Sequence, residues 1–177
     1  MSARRLAIGA ATLAVLAGGV AVGGPLAPTS EFAFLATGSA ADVGEPLTYG
    51  LLVLKGVDSQ PMELERVELA RIDGGVRMVG SYVQPTSVGR GIALAYGYPP
   101  PRPGPGRHPV AGYRLAPHAT LRVLVGFEAT RAGQHAFHRL RLYYRARGRR
   151  YRTDYPLAAR VCAPKKPWLG RCDPPDD

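Results

Sequence analysis

Apolar and polar residues alternate with a period of two through most of the chain after its first forty residues, which is the spacing of half-buried β-strands. The alternation is clearest in FHRLRLYYRARGRRYRTDYPLAARV, residues 137–161, where Arg147-Gly148 reads as the two-residue loop of a β-hairpin. That loop sets Tyr144 opposite Tyr151, Leu142 opposite Thr153 and Leu140 opposite Tyr155 on one inward face. On the other face Arg145 meets Arg150, Tyr143 meets Arg152 and Arg141 meets Asp154, pairs expected to be repulsive, cation–π and salt-bridged in turn. A slip of one residue would bury the arginines, so both faces demand one register.

Other segments follow the same logic. Leu47 to Leu54 is a largely apolar strand, as a central one should be, and GVDSQP (56–61) is a turn. Met62 to Ile72 alternates apolar and acidic residues but changes phase between Leu64 and Val67, which predicts a β-bulge near Glu65-Arg66. Val76 to Gln84 and a weaker Ile92 to Tyr98 come next, before the Pro/Gly-rich loop 99–109. A short strand through Tyr113 and Leu115 precedes a Pro117-His118 turn. Then Leu121, Val123, Val125 and Phe127 point one way while Arg122 and Glu128 point the other. Seven or eight short strands with no amphipathic helix predict an all-β, two-sheet sandwich over residues 47–161.

The start of the chain has no such pattern. Arg4 and Arg5 precede an uncharged run from Leu6 to Ser30, so residues 1–30 read as a signal peptide or a signal-anchor transmembrane helix. Ala21-Val22-Gly23 offers small residues for cleavage, whereas the length of the uncharged run also suits a retained span. Either reading places the rest outside the cytoplasm, in a cell membrane's outer space or secreted. Residues 31–46 read as a linker, in which FAFLA (32–36) is either an edge strand or membrane-proximal.

Leu115-x-Pro117, Leu121-x-Val123-x-Val125-Gly126-Phe127, Gly133 and the closing hairpin, with the earlier Gly44-Glu45-Pro46-Leu47-Thr48-Tyr49-Gly50, resemble small actinobacterial envelope proteins. Those carry an N-terminal membrane helix and an immunoglobulin-like domain. The resemblance implies an immunoglobulin-like β-sandwich outside the cytoplasm, and it transfers no catalytic or binding residue.

Composition and charge narrow the chemistry. The net charge is +10 in 177 residues, and it is unevenly placed: eighteen bases stand against Glu128 and Asp154 over residues 76–172, while residues 31–75 are acidic. A basic half attracts anions in general. The two cysteines, Cys162 and Cys172, are expected to form one disulfide closing a C-terminal tail over residues 162–177, a contribution of roughly 2–3 kcal/mol in an oxidising exterior. His108, His118, His135 and His138 lack a carboxylate cluster, and Met62 and Met78 read as core fillers, so no metal or other cofactor is expected. No serine sits in a G-x-S-x-G or S-x-x-K setting and no phosphate-binding glycine loop occurs, which points away from an enzyme.

One feature stands out: Arg139, Arg141, Arg145, Arg147, Arg149, Arg150 and Arg152, interleaved with Tyr143 and Tyr151. It is either a solvated face written in arginine by a genome that avoids lysine and asparagine, or an anion-binding surface. On the second reading Arg139, Arg141, Tyr143, Arg145, Arg147, Arg149, Arg150 and Arg152 bind an envelope protein or an anionic envelope component, a lipid headgroup or wall polymer. Nucleic acid is not the expected partner for an exported chain. The alternative is a structural protein that self-associates, the acidic strand with Glu63, Glu65 and Glu68 pairing with a neighbour's basic hairpin.

Overall fold

A computed structural model describes residues 21–22, 24–28, 35–86, 94–100 and 106–174. Two six-stranded sheets stack face to face. In the first, β1 (Ala21–Val22), β12 (Arg149–Ala163), β11 (Gly133–Ala146), β5 (Met62–Ile72) and β9 (Arg114–Leu115) lie side by side, and β3 (Leu35–Ala40) also pairs with β12. In the second the order is β2 (Leu26–Pro28), β4 (Leu47–Gly56), β10 (Thr120–Ala129), β6 (Val76–Pro85) and β8 (His108–Pro109), with β7 (Leu94–Tyr96) also on β4. The two-sheet, all-β expectation therefore holds.

The inward face of each strand supplies the core. Leu47, Leu54, Leu121, Val123, Val125 and Phe127 from the second sheet meet Leu64, Phe137, Leu140, Leu142, Tyr144 and Val161 from the first. Phe127 and Phe137 pack edge to face at 5.1 Å, an arrangement worth about 0.5–1.5 kcal/mol beyond their burial. Tyr144 stacks on Tyr151 at 5.4 Å, and the buried Tyr155 hydroxyl donates to the Leu26 carbonyl at 2.9 Å, so its polar end is satisfied inside the core.

The hairpin keeps the register its two faces require. Tyr144 faces Tyr151, Leu142 faces Thr153, Leu140 faces Tyr155, Arg145 faces Arg150, Tyr143 faces Arg152 and Arg141 faces Asp154. Arg147 and Gly148 both have positive φ, 50° and 70°, as a two-residue loop matched to the right-handed strand twist demands. The phase change in β5 is a bulge: β11 passes from Tyr143 opposite Arg66 to Tyr144 opposite Leu64, leaving Glu65 as the extra residue.

The first forty residues depart from expectation. The sandwich does not begin at residue 47. Ala21 and Val22 pair in parallel with Tyr151 and Arg152, Leu26 to Pro28 pair with Gly56 to Leu54, and Leu35 to Ala40 pair in parallel with Leu157 to Cys162. Part of the segment read as leader, and of the segment read as linker, therefore laces the two sheets together. Leu26 is buried in the core, and the Val57 amide donates to the Pro25 carbonyl at 2.9 Å. These residues looked like tether because three Pro/Gly-interrupted pieces of two to six residues are too short to display alternation. The helix expected over residues 1–30 falls, as far as residue 20, outside the described residues. Among the described residues no helix is long and apolar enough to cross a membrane.

Cys162 and Cys172 form the expected disulfide. It folds the tail, with the short α1 (Lys165–Trp168), back across β3, where a side chain at Gly38 would collide with the Cys172 and Asp173 backbone. The tail thus covers what would be an unprotected strand.

Candidate functional site

Three strands of the first sheet, β12, β11 and β5, carry the arginine ribbon on their shared outer face. Read across them, the rows are Arg150, Arg145 and Glu63; Arg152, Tyr143 and Arg66; Asp154, Arg141 and Glu68. The acidic strand is therefore the immediate neighbour of the basic hairpin within one sheet of one molecule.

Each row resolves its charges differently. The opposed Arg145 and Arg150 straddle one carboxylate: both Nε groups donate to Glu65 Oε1, at 2.5 Å and 3.1 Å. The bulge makes this possible, because the extra residue turns Glu65 onto the outer face beside Arg66. Partial burial pushes the Glu65 carboxyl up, but the hydrogen bonds and charges of Arg145 and Arg150 outweigh it and hold it below the usual carboxylate range. Arg141 grips Asp154 through two parallel bonds of 2.7 Å and 2.9 Å, which lower the Asp154 carboxyl and raise the guanidinium. Over Tyr143 sits Arg66, 3.8 Å from the ring centroid and bonded to Glu68 at 2.8 Å. The cation expected there was Arg152; the bulge brings Arg66 closer instead.

The hairpin turn has a fourth arrangement. Arg147 reaches from the loop to Asp58 in the β4–β5 turn, Nη2 to Oδ1 at 2.6 Å, and this hydrogen bond holds the Asp58 carboxyl low. The Asp58 side chain is wholly buried there, its Oδ2 without a hydrogen-bond partner. Beside it lies a recess of about 170 Å³ lined by Pro25, Val57, Asp58, Arg147 and Tyr151. A larger groove of about 320 Å³ runs between Arg114 on β9, Glu63, Arg145 and Arg147.

Of the eight residues singled out from the sequence, Arg141, Arg145, Arg147 and Arg150 are thus bound to carboxylates of their own molecule. Tyr143 is capped by Arg66. Arg139, Arg149 and Arg152 have no ion pair with a carboxylate among the described residues, although the charges of Arg152 and Arg139 also help to lower Asp154. Sequence reasoning missed Asp58 and Arg114, which only the fold brings to the hairpin turn. It also grouped Glu65 with Glu63 and Glu68 as an acidic strand facing a neighbouring molecule, although the phase change at that residue was the visible sign of its special position.

The histidines stay apart. His135 is buried, Nε2 3.0 Å from the Arg131 carbonyl, and His138 faces Asp73 at 3.0 Å. Among the described residues no three of His, Cys, Asp or Glu are grouped to hold a metal ion.

Fold and surface together define a disulfide-closed β-sandwich whose one outer face is a ladder of charges matched largely within the molecule, with Arg139 and Arg152 outside those ion pairs among the described residues. No protein-family model matches the chain, and no curated protein matches it. Among solved structures it is similar to the ASH/PapD-like domain 7 of human CEP192, at 11% identity and a TM-score of 0.40, over 77% of this chain and 84% of that one. A family 123 glycoside hydrolase from Clostridium perfringens is similar at 12% identity and a TM-score of 0.40, over 72% of this chain but 23% of the enzyme.

Proposed function

We propose that this chain is a non-enzymatic, immunoglobulin-like binding module of the bacterial envelope, membrane-anchored or secreted, which takes an anionic envelope component on the arginines of its hairpin. The observation that carries this is the remainder after internal pairing: Glu65, Asp154 and Asp58 neutralise four arginines, and Arg139, Arg149 and Arg152 stay exposed or half-exposed with no ion pair to a carboxylate among the described residues. The matched pairs stiffen the ladder and the unmatched cations supply the attraction. Self-association through the acidic strand has less to work with, because Glu65 and Glu68 already have partners on the same sheet.

The test is binding of linear polyphosphate to the full chain reconstituted in phosphatidylcholine vesicles. The expected result is binding that weakens by about tenfold or more as the screening length falls to ~8 Å at physiological ionic strength. Arg149→Glu with Arg152→Glu should abolish it. Arg145 and Arg150 are the wrong residues to reverse, since that change would expel Glu65. Binding that ignores salt and the double reversal overturns the proposal.

A further inference from the structure

The way β1 joins the first sheet says where the apolar leader meets the body of the protein. β1 runs parallel to β12 with Ala21 beside Tyr151 and Val22 beside Arg152, so the chain enters the sandwich at the hairpin-turn end, one strand spacing of about 4.8 Å from the arginine run. β1 begins at Ala21, within the uncharged run itself, so the sequence leaves no separate spacer between that run and the sandwich.

That end of the molecule is also the cationic one. The hairpin turn brings Arg145, Arg147, Arg149 and Arg150 there; Arg114 joins from β9, opposite Glu63, and the exposed Lys55 from the end of β4. Three carboxylates accompany these six cations, and two of them, Asp58 and Glu65, are already engaged by arginines. Val57 stands exposed among them. At the opposite end Asp42, Glu45, Asp73, Glu128 and Asp173 stand against Arg71, Arg77, Arg131, Lys165, Lys166 and Arg171, a smaller excess of cations.

The uncharged leader before β1, Leu6 to Val20, is fifteen residues long. As a helix it would reach about 22 Å, short of the ~30 Å hydrocarbon core of a bilayer. It has no length left to serve as a stalk, so a leader inserted in a membrane draws the hairpin turn down to the headgroups. We propose that the hairpin-turn end docks on the anionic phospholipid surface that the chain's own leader enters, with Lys55, Arg114 and Arg149, which have no ion pair with a carboxylate among the described residues, on headgroup phosphates. This rests on the anion-binding reading above and selects among its anions. A short tether holds the turn at high effective concentration over the surface, so contacts too weak to act alone are populated.

Trp168 is the chain's one tryptophan and lies beyond the far end of β12, which makes it an internal control. A reporter for the docking end is Val57→Trp combined with Trp168→Phe, an exposed turn position that removes no charge. Both full chains are placed in vesicles of phosphatidylcholine alone or with phosphatidylglycerol, each doped with lipid brominated near the headgroup. The expected result is quenching at position 57 at least threefold greater with phosphatidylglycerol, lost in high salt and on adding Arg114→Glu and Arg149→Glu, with Trp168 unquenched throughout. Equal quenching in both vesicles, no quenching at position 57, or quenching of Trp168 overturns the docking. Polyphosphate binding in phosphatidylcholine vesicles separates the two failures: if it persists without lipid-dependent quenching, the hairpin binds anions but not the membrane surface. If both vanish, both readings fall.

Discussion

The outer faces of the two sheets obey the same alternation and end in opposite environments. On the first sheet the outward residues of β12, β11 and β5 are charged and meet water, their repulsions settled by Glu65, Asp154 and Glu68. On the second sheet the outward row of Thr48, Gly126 and Gly80 lies under the ring of Tyr98, which occupies the space that side chains at the two glycines would fill. The Thr48 hydroxyl donates to the Gly97 carbonyl at 2.6 Å, pinning that segment down. Every residue from Leu121 to Ala129 except Arg122 is buried, and the buried Glu128 is paired with the exposed Arg77. Alternation says which residues point outward. It does not say whether outward is wet.

The comparison breaks most visibly if an outward position of the second sheet behaves as core. Leu124 points away from the sandwich interior yet is wholly buried, so Leu124→Ala should cost ~2–5 kcal/mol in urea unfolding. Tyr143→Ala on the first sheet's outer face should cost far less, because its contact with Arg66 is of the kind worth about 0.5–1 kcal/mol at exposed sites. Equal losses at the two positions would mean that the second sheet is not roofed. The roof itself is tested by Gly126→Ala, whose new methyl group meets the Tyr98 ring: ~1–3 kcal/mol of overpacking is expected. Most of that penalty should disappear in a Tyr98→Ala background, since the two positions touch and their effects couple.

This difference also explains what could be read in advance. Where one face is core and the other solvent, as in the hairpin, inward tyrosines and leucines and outward arginines fix register and pairing without any knowledge of neighbours. Glu65 was half legible: its bulge appears as a broken period, but the arginines it serves are 80 and 85 residues away. Arg122 shows the limit. It has the period of a solvent-facing residue, yet its Nη1 is buried without a hydrogen-bond partner and burial lowers its guanidinium. Over Gly80 and Gly126 the cover is Tyr98, from a segment whose Gly and Pro residues give no periodic signal. The strands of residues 21–40 were hidden for the same reason, being short pieces that complete sheets built elsewhere.

The smallest effect expected is at Glu65, and it separates stability from binding. Its carboxyl is held low in the folded chain by Arg145 and Arg150, so its contribution is present above the unfolded carboxylate value near ~4 and fades as the pH falls toward the lower folded value. Glu65→Gln removes that dependence while keeping the shape. At neutral pH it should cost no more than about 1 kcal/mol, as for exposed ion pairs, because water takes over much of the solvation of both guanidinium groups. Polyphosphate binding should move the other way, strengthening as Arg145 and Arg150 are released to an external anion. Lowering the pH of the unmodified chain through the same range should reproduce that gain, and the variant should show no further pH response from this group. A variant that loses stability without gaining affinity would show that the matched pairs are scaffold alone and that the anion is read only by Arg139, Arg149 and Arg152.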